Sequence, residues 1–257
     1  MDGFRGKVAL VTGGSAGIGL ATAIAFAREG ADVVIASRNE DRGEHAVRLI
    51  KEAGGDAMFV KADVSSGSDV EALIRAVVSS FGRIDMAFNN AGATGALLPL
   101  ADQTEKDFDD AINVNLKGAF LCMKHEILQM VKQGGGAIVN TSAVAGLNGA
   151  PKASVYSAGK HGVLGLTKSA AIEYAKAGIR VNAVCAGVIR TPGLDLTNRW
   201  LFADDAPKAE AWWASHVPMR RTGRADEVAQ AVLWLCSEAA SYVTGSALVV
   251  DGGLFVQ

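Results

Sequence analysis

Tyr156 and Lys160 fall in the run Tyr156-Ser157-Ala158-Gly159-Lys160, and Ser142 closes the β-prone stretch Ile138-Val139-Asn140-Thr141-Ser142. On a helix, side chains four positions apart project from one face, a turn apart. An ammonium held beside a phenol favours the phenolate, lowering a pKa that is ordinarily about 10. A tyrosine so tuned can give or take a proton as a general acid or base. A serine hydroxyl beside it can hydrogen-bond a carbonyl or alcohol oxygen. The trio is therefore suited to moving a proton onto or off oxygen while another group moves a hydride. His161 neighbours Lys160 but points about 100° around the helix, so it is read as structural.

A second chemical pattern stands near the start of the chain. The apolar run Lys7-Val8-Ala9-Leu10-Val11 leads directly into Thr12-Gly13-Gly14-Ser15-Ala16-Gly17-Ile18-Gly19, and an amphipathic stretch follows from Leu20 to Arg28. A strand, a glycine turn and a helix N-terminus together make a cradle for a pyrophosphate, because bare backbone can approach it and the helix end favours its charge. The spacing is G-x-x-x-G-x-G (Gly13, Gly17, Gly19) rather than the usual dinucleotide G-x-G-x-x-G. Alone, such a run equally suits a plain structural turn. The Tyr–Lys pair in the same chain weighs against that reading.

These residues need a frame to bring them together. Apolar β-branched runs near 7–12, 32–37, 57–61, 84–88, 137–141, 180–185 and 247–250 alternate with helical patterns near 17–29, 40–53, 67–81, 104–131, 153–177 and 225–236. That alternation predicts βαβ units with right-handed crossovers: an α/β, Rossmann-type doubly wound parallel sheet with helices on both faces. The length of 257 residues suits one domain over 1–257, and 49% hydrophobic residues suit a sheet covered on both sides. The mean hydropathy is +0.21 and the pI about 6.1. A formal charge of −2 gives no electrostatic reason for nucleic acid or membrane partners. No apolar run approaches the ~18 residues of a membrane span. The N-terminus enters the first strand too soon for a signal peptide. Three cysteines (Cys122, Cys185, Cys236) without metal-ligand spacing suggest reduced thiols, a cytoplasmic location and no metal site. Gly134-Gly135-Gly136 reads as a turn before the fifth strand.

End to end, the chain resembles the short-chain dehydrogenase/reductase family in its common form of about 250 residues. The resemblance rests on the glycine turn, Ser142, Tyr156 and Lys160, and on Asp63-Val64, Asn89-Asn90-Ala91-Gly92, Asn115, Arg180-Val181-Asn182 and Asp251-Gly252-Gly253. It implies seven strands in the order 3-2-1-4-5-6-7. It also implies hydride transfer between nicotinamide and a ketone or aldehyde, or the corresponding alcohol. Tyr156 then acts as general acid/base, Ser142 bonds the substrate oxygen, and Lys160 tunes Tyr156 and holds the nicotinamide ribose. Asn115 anchors a water that resupplies protons. Gly13, Ser15, Gly17, Ile18 and Gly19 hold the pyrophosphate side of the cofactor. Asp63 and Val64 bond adenine, Asn90, Ala91 and Gly92 line the ribose side, and Gly187, Val188 and Thr191 meet the nicotinamide. Ala186 stands where the family usually has proline.

The end of the second strand separates NAD from NADP, since an acid there binds a free ribose 2′-OH and a basic residue accommodates a 2′-phosphate. Relatives that use NAD often carry Asp where this chain has Ser37, and Arg38 follows. A guanidinium grips phosphate and stacks on adenine, so NADP(H) is expected, with Ser15 and Ser37 as hydroxyl donors. Some relatives add a basic residue where Ala16 stands, which makes the expected preference modest. A solvated Arg38 is the plain alternative.

From Gly193 to about Pro218 the alternation breaks. Leu194, Leu196, Trp200, Leu201, Phe202, Trp212 and Trp213 mix there with Asp204, Asp205 and Glu210. Long insertions beside active sites are often lids, and in the family this stretch closes over substrate. The aromatics could instead pack against the body or a neighbouring subunit. Ala143, Asn148, Val188 and Leu194 are expected to line the pocket. The reading is a carbonyl reductase or alcohol dehydrogenase acting on an apolar or bulky small molecule. Three alternatives stay open: a sugar or polyol dehydrogenase, a 3-oxoacyl-(acyl-carrier-protein) reductase, and a non-catalytic NADP-binding sensor. Carrier-protein reductases usually have docking arginines where this chain has Gln133 and Ile172. A homotetramer is implied by the family, and Gln257 is similar to a glutamine that holds structural magnesium in a few relatives.

Overall fold

A computed structural model describes residues 3–203 and 205–256; Asp204 and Gln257 lie outside the described residues. The first half alternates β1 (Val8–Thr12), α1 (Gly17–Arg28), β2 (Asp32–Ser37), α2 (Glu40–Glu52), β3 (Ala57–Lys61), α3 (Gly67–Phe81) and β4 (Met86–Asn89). Next come α4 (Glu105–Ile112), α5 (Gly118–Gln133), β5 (Gly136–Ala143), α6 (Ser154–Tyr174) and β6 (Ile179–Ala186). The last part holds β7 (Ile189–Arg190), α7 (Pro192–Phe202), α8 (Ala206–His216), β8 (Gly223–Arg224), α9 (Ala225–Cys236) and β9 (Ala247–Val250). Each strand expected from sequence is found within two residues of its place.

Seven strands pair in the order β3-β2-β1-β4-β5-β6-β9, all parallel. The implied topology is therefore present, with β9 as the seventh strand. Because successive side chains of a strand face opposite ways, each strand feeds two apolar layers. Ala9 and Val11 join Phe26, Phe88 and Val232 on one side, beneath α1 and α9. Val8 and Leu10 join Leu73, Ile127 and Ala170 on the other, beneath α3, α5 and α6. The order in which strands are added reverses between β1 and β4, so the strand ends there open a crevice, the usual ligand position in such sheets.

Two expectations are corrected. The helix read over 104–131 is two helices joined by a π-helical turn at Asn113–Lys117, where the Gly118 amide reaches back to the Asn113 carbonyl. Such a bulge is invisible to apolar periodicity and is frequent at functional sites. The segment after Gly193, where the sequence alternation breaks and predicts no element, holds two helices. Thr191 caps α7 by accepting from the Leu194 amide, with Pro192 at its start. Asp205 caps α8 by accepting from the Lys208 amide. Both are ordinary helix-start signals.

A buried polar chain crosses the middle of the sheet. Asn89 Nδ2 donates to Glu126 Oε2 (2.9 Å) and to Asn140 Oδ1 (3.0 Å), and Asn140 Nδ2 donates to Thr167 Oγ1 (2.9 Å). Glu126 is fully buried, its Oε1 has no hydrogen-bond partner, and burial raises its pKa to about 7 despite the bond from Asn89. A carboxyl with a raised folded pKa binds its proton more tightly in the native state than in the unfolded one. Stability should therefore fall as pH rises from the ordinary glutamate value through 7, then level off. Glu126→Gln keeps an acceptor for Asn89 without the charge. Thermal melts from pH 5 to 8 should show the variant gaining on the parent by up to about 3 kcal/mol. Parallel curves would refute the assignment.

Candidate active site

The ends of β1, β4, β5 and β6 deliver the groups of interest to one cleft of about 750 Å³. Its walls include Ile18, Asn90, Gly92, Asn115, Ser142, Tyr156, Lys160, Gly187, Val188 and Thr191. Residues drawn from both halves of the sequence thus meet in one place. Ala143, Asn148, Val188 and Leu194 line the cleft too, as do Leu196, Trp200, Trp213 and Leu254.

Ser142 and Lys160 form the floor and are 1% and 3% exposed. Ser142 Oγ donates to the Lys160 carbonyl at 3.0 Å, which ties the end of β5 to α6. Lys160 Nζ donates to the Thr141 carbonyl at 2.9 Å and lies 5.6 Å from the centre of the Tyr156 ring. Gly146 is required beside them, since a Cβ there would stand 2.3 Å from Ser142 Oγ. His161 turns away, its Nδ1 against the Ser157 carbonyl at 2.9 Å.

The expected lowering of the tyrosine pKa by Lys160 is not met in the chain by itself. Burial pushes Tyr156 up to about 12 and pulls Lys160 down to about 8. Desolvation disfavours both charged forms at once, so a phenolate at neutral pH needs further positive charge in the cleft.

Asn115, carried on the π turn, is 1% exposed. Its Nδ2 donates to the Ala93 carbonyl (2.7 Å) and the Ala111 carbonyl (2.9 Å), and its Oδ1 accepts from the Ala93 amide (3.3 Å). A Cβ on Gly92 would meet Asn115 Oδ1 at 2.7 Å and Lys160 Nζ at 3.3 Å. Glycine there lets carboxamide and amine approach one another.

The glycine turn is held by Asn90, a link that the sequence reading did not anticipate. Asn90 Nδ2 donates to the carbonyls of Thr12 and Gly13, both at 3.3 Å, while Thr12 Oγ1 accepts from the Asn90 amide (3.1 Å) and the Ala91 amide (3.3 Å). Gly13 and Gly17 take φ of +65° and +55°, the left-handed region that favours glycine. A Cβ on Gly19 would stand 2.3 Å from the Gly13 carbonyl oxygen. The turn is thus a backbone concavity that side chains would fill, and it fits a dinucleotide pyrophosphate at the start of α1. Ser15 belongs to the same turn.

Outside the cleft, Asp63 Oδ1 accepts from the amide and hydroxyl of Ser65 at 2.9 and 2.7 Å. Partial burial raises its pKa, but those bonds and the Arg38 charge outweigh it and hold the carboxyl below its usual range. Arg38 is 76% exposed, 4.0 Å from Asp63, and Ser37 Oγ donates to the Asn39 carbonyl at 3.3 Å. Val64 and Ala91 line a small internal cavity together with Thr12, Asn115 and Thr141. Among the described residues no cluster of ligands that could hold a metal is found, and no helix is long and apolar enough to cross a membrane.

A family model described as enoyl-(acyl carrier protein) reductase matches residues 13–255. The chain is 42% identical to a 2,5-dichloro-2,5-cyclohexadiene-1,4-diol dehydrogenase of Sphingobium indicum, over 98% of each chain. It is also 42% identical to a cyclohexanol dehydrogenase of Acinetobacter sp., over 97% of this chain and 95% of that one. Levodione reductase superposes with a TM-score of 0.96 at 38% identity, over 98% of this chain and 99% of the other. Similar solved structures include a xylitol dehydrogenase bound to NAD+ and an actinorhodin polyketide ketoreductase variant with NADPH, both 36% identical. The chain belongs to the short-chain dehydrogenase/reductase family. It is an oxidoreductase of that family.

The Gly19 geometry gives a direct check. Gly19→Ala forces the glycine turn to shift against backbone, so the dissociation constant for the nicotinamide dinucleotide should rise by about tenfold or more, an effect of the size of a lost buried hydrogen bond. Calorimetric titration with NADPH and NADH reads it; unchanged affinity for both would show that the turn does not hold the cofactor.

Proposed function

We propose that the protein interconverts a ketone or aldehyde and an alcohol with NADP(H), using Tyr156 as general acid/base. The observation that carries this reading is the convergence of Ser142, Tyr156, Lys160 and the glycine turn on one cleft. The cofactor would lie along Gly13–Gly19, with Ser37, Arg38, Asp63 and Val64 about its adenosine end. Asn90–Gly92, Lys160, Gly187, Val188 and Thr191 would surround the nicotinamide ribose and ring. When bound it supplies or takes the hydride at its nicotinamide carbon, and its oxidised ring adds positive charge.

In reduction, Tyr156 gives its proton to the oxygen of the carbonyl as the carbon is reduced. Ser142 holds the same oxygen. Its hydroxyl points to the Lys160 carbonyl, so it accepts from an alcohol as it stands and must rotate to donate to a ketone. Lys160, with its pKa drawn down to about 8, is placed to return a proton toward Tyr156, and Asn115 holds the adjoining strand end in register for that transfer. Oxidation runs the same steps backwards and needs the phenolate, so it should gain with rising pH, whereas reduction should lose.

Arg38 supports NADP over NAD. Its pairing with Asp63 is long and exposed, so little is lost in turning to a phosphate. Among the described lining residues Lys160 carries the only formal charge, and Leu194, Leu196, Trp200, Trp213 and Leu254 make one side apolar. That lining favours a neutral ring-bearing substrate, of the kind named for the cyclohexanol and levodione enzymes, over an open polyol. The segment 193–218, now seen as α7 and α8, serves as the substrate lid of a single domain spanning 1–257. Exposed Phe120, Leu128, Val131 and Ile172 on α5 and α6 support a homotetramer. The three cysteines are free and buried, consistent with a cytoplasmic enzyme.

NADPH and NADH consumption should be followed with cyclic ketones, an open polyol ketone and an acyl thioester. Turnover of cyclic ketones with NADPH is expected, and Tyr156→Phe should lower it by about a thousandfold with cofactor affinity kept. Arg38→Asp should reverse the cofactor preference. Near-normal turnover in the Tyr156→Phe variant would remove Tyr156 from the chemistry, and a parent that prefers NADH would remove Arg38 from the cofactor argument.

A further inference from the structure

The wall of the cleft formed by α7 and α8 is tied to itself and to the body by several specific contacts. Trp213 lines the cleft from α8. Its indole N–H donates to Asn198 Oδ1 on α7 at 2.8 Å. A partly buried indole needs an acceptor for its single donor, and this one comes from the neighbouring helix. The ring is also packed edge-on against Trp212 (centres 4.5 Å apart, 83° between planes) and against Phe202 (6.3 Å, 75°). Trp212 is in turn stacked on His216 at 3.9 Å. One polar tie and two aromatic contacts therefore fix one side chain.

The helix that carries it is latched as well. Glu210, one turn before Trp213, pairs with Arg190 at 2.9 Å and accepts from Thr222 Oγ1 at 3.1 Å. Arg190 belongs to β7, whose other residue, Ile189, lines the cleft with Val188. Ile189 and Arg190 pair with Gly223 and Arg224 of β8. The indole is thus referred back to the same strand end that borders the reacting groups.

We propose that Trp213 is the specificity-determining wall of the cleft, that Asn198 is its positioning residue, and that together they select neutral cyclic alcohols and ketones whose ring lies against the fixed indole. The inference rests on the carbonyl/alcohol oxidoreductase reading and adds to it a basis for ring selection. A flat indole in a fixed position offers a large apolar area to a ring at little entropic cost. An open-chain ketone of few carbons reaches the reacting groups without touching it. The polar tie should therefore be felt in ring binding and not in the chemistry.

The test uses the full-length protein with NADPH, a cyclohexanone-type ketone and a short open-chain ketone. Asn198→Leu removes the acceptor at similar volume. It should raise KM for the ring ketone by about tenfold, the size of one lost partly buried hydrogen bond, and leave the ratio of open-chain to ring kcat unchanged. Asn198→Asp retains an acceptor and should restore the ring KM. Trp213→Phe removes the donor and part of the apolar face, so it should raise the ring KM at least as much as Asn198→Leu. Adding Asn198→Leu to it should cost little more, because the interaction that Asn198 makes is already gone. Equal KM rises for ring and open-chain ketones, additive losses in the double variant, or failure of Asn198→Asp to rescue would each overturn the inference while leaving the oxidoreductase reading intact. A parent enzyme that turns over neither ketone nor the matching alcohols would overturn both.

Discussion

The burial of the Lys160 amine is the constraint around which the rest of the site is arranged. An ammonium at 3% exposure loses nearly all of its hydration, and such a loss costs several kcal/mol unless the protein returns hydrogen bonds. The end of β5 returns one through the Thr141 carbonyl. Asn115 lies close on the other side, because Gly92 has no side chain to keep them apart. Asn115 can occupy that position because the helix widens to a π turn at Asn113–Lys117. The glycine after β4, the widened turn and the exact end of β5 are thus consequences of one buried amine. The same burial explains why Lys160 falls to about 8 while Tyr156 rises to about 12. At neutral pH the phenol of the bare chain stays protonated and the amine keeps most of its charge, so the amine alone does not offset the desolvation of Tyr156.

Away from that amine, the central strands are registered by buried polar ties that apolar packing could not supply. Apolar side chains of similar size tolerate sliding, whereas an unpaired buried carboxamide does not. Asp85 accepts from the Val8 amide at 3.0 Å, with Arg83 paired to both its oxygens. Asn89 reaches Asn140, Thr12 holds the Asn90 and Ala91 amides, and Asn182 ties β6 to the loop before β9. A slip of one residue anywhere in this row would orphan several donors at once. The strand ends carrying Ser142, Asn90 and Gly187 consequently meet at fixed relative height. Among the described residues Asn89 Oδ1 and Glu126 Oε1 are both left without a partner, and Glu126 makes that end of the row a titratable weak point.

The alternating sheet and the shared helix face of Tyr156 and Lys160 were readable from local pattern, whereas the strand order and the role of Ser142 came from the family resemblance. Alternating apolar runs define parallel strands, and Tyr156 and Lys160 share a helix face by spacing alone. What was unreadable depends on contacts between distant segments. Nothing near Asn115 announces a π turn, since its hydrogen bonds go to Ala93 and Ala111. The Asn90 clamp on Thr12 and Gly13 joins residues 77 and 78 positions apart. Leu254 enters the cleft through a turn fixed by Asp251, which accepts from the Gly253 and Phe255 amides. The helices α7 and α8 were legible in principle from Thr191-Pro192 and Asp205, but their charged and aromatic mixture obscured the periodicity. The tyrosine pKa went the other way because spacing reveals a neighbour and conceals the desolvation that outweighs it.

The two parts of the cleft differ in how much the fold invests in them. Ser142 at the end of β5 and Tyr156 and Lys160 on α6 sit against the apolar layers of the sheet, where a change in one side chain disturbs close packing. The wall made by α7 and α8 is mostly exposed, with Trp200 at 68% and Leu196 at 58%, and is joined to the body by a few polar contacts. Substitutions among exposed side chains cost less stability than those in the buried layers, so this wall can be altered without unfolding the sheet. On the proposed reading chemistry and recognition are separable: the end of β5 and helix α6 hold Ser142, Tyr156 and Lys160, and two surface helices shape the rest of the cleft. A change in that wall would then fall on α7 and α8, with the strand ends of this chain left as they are.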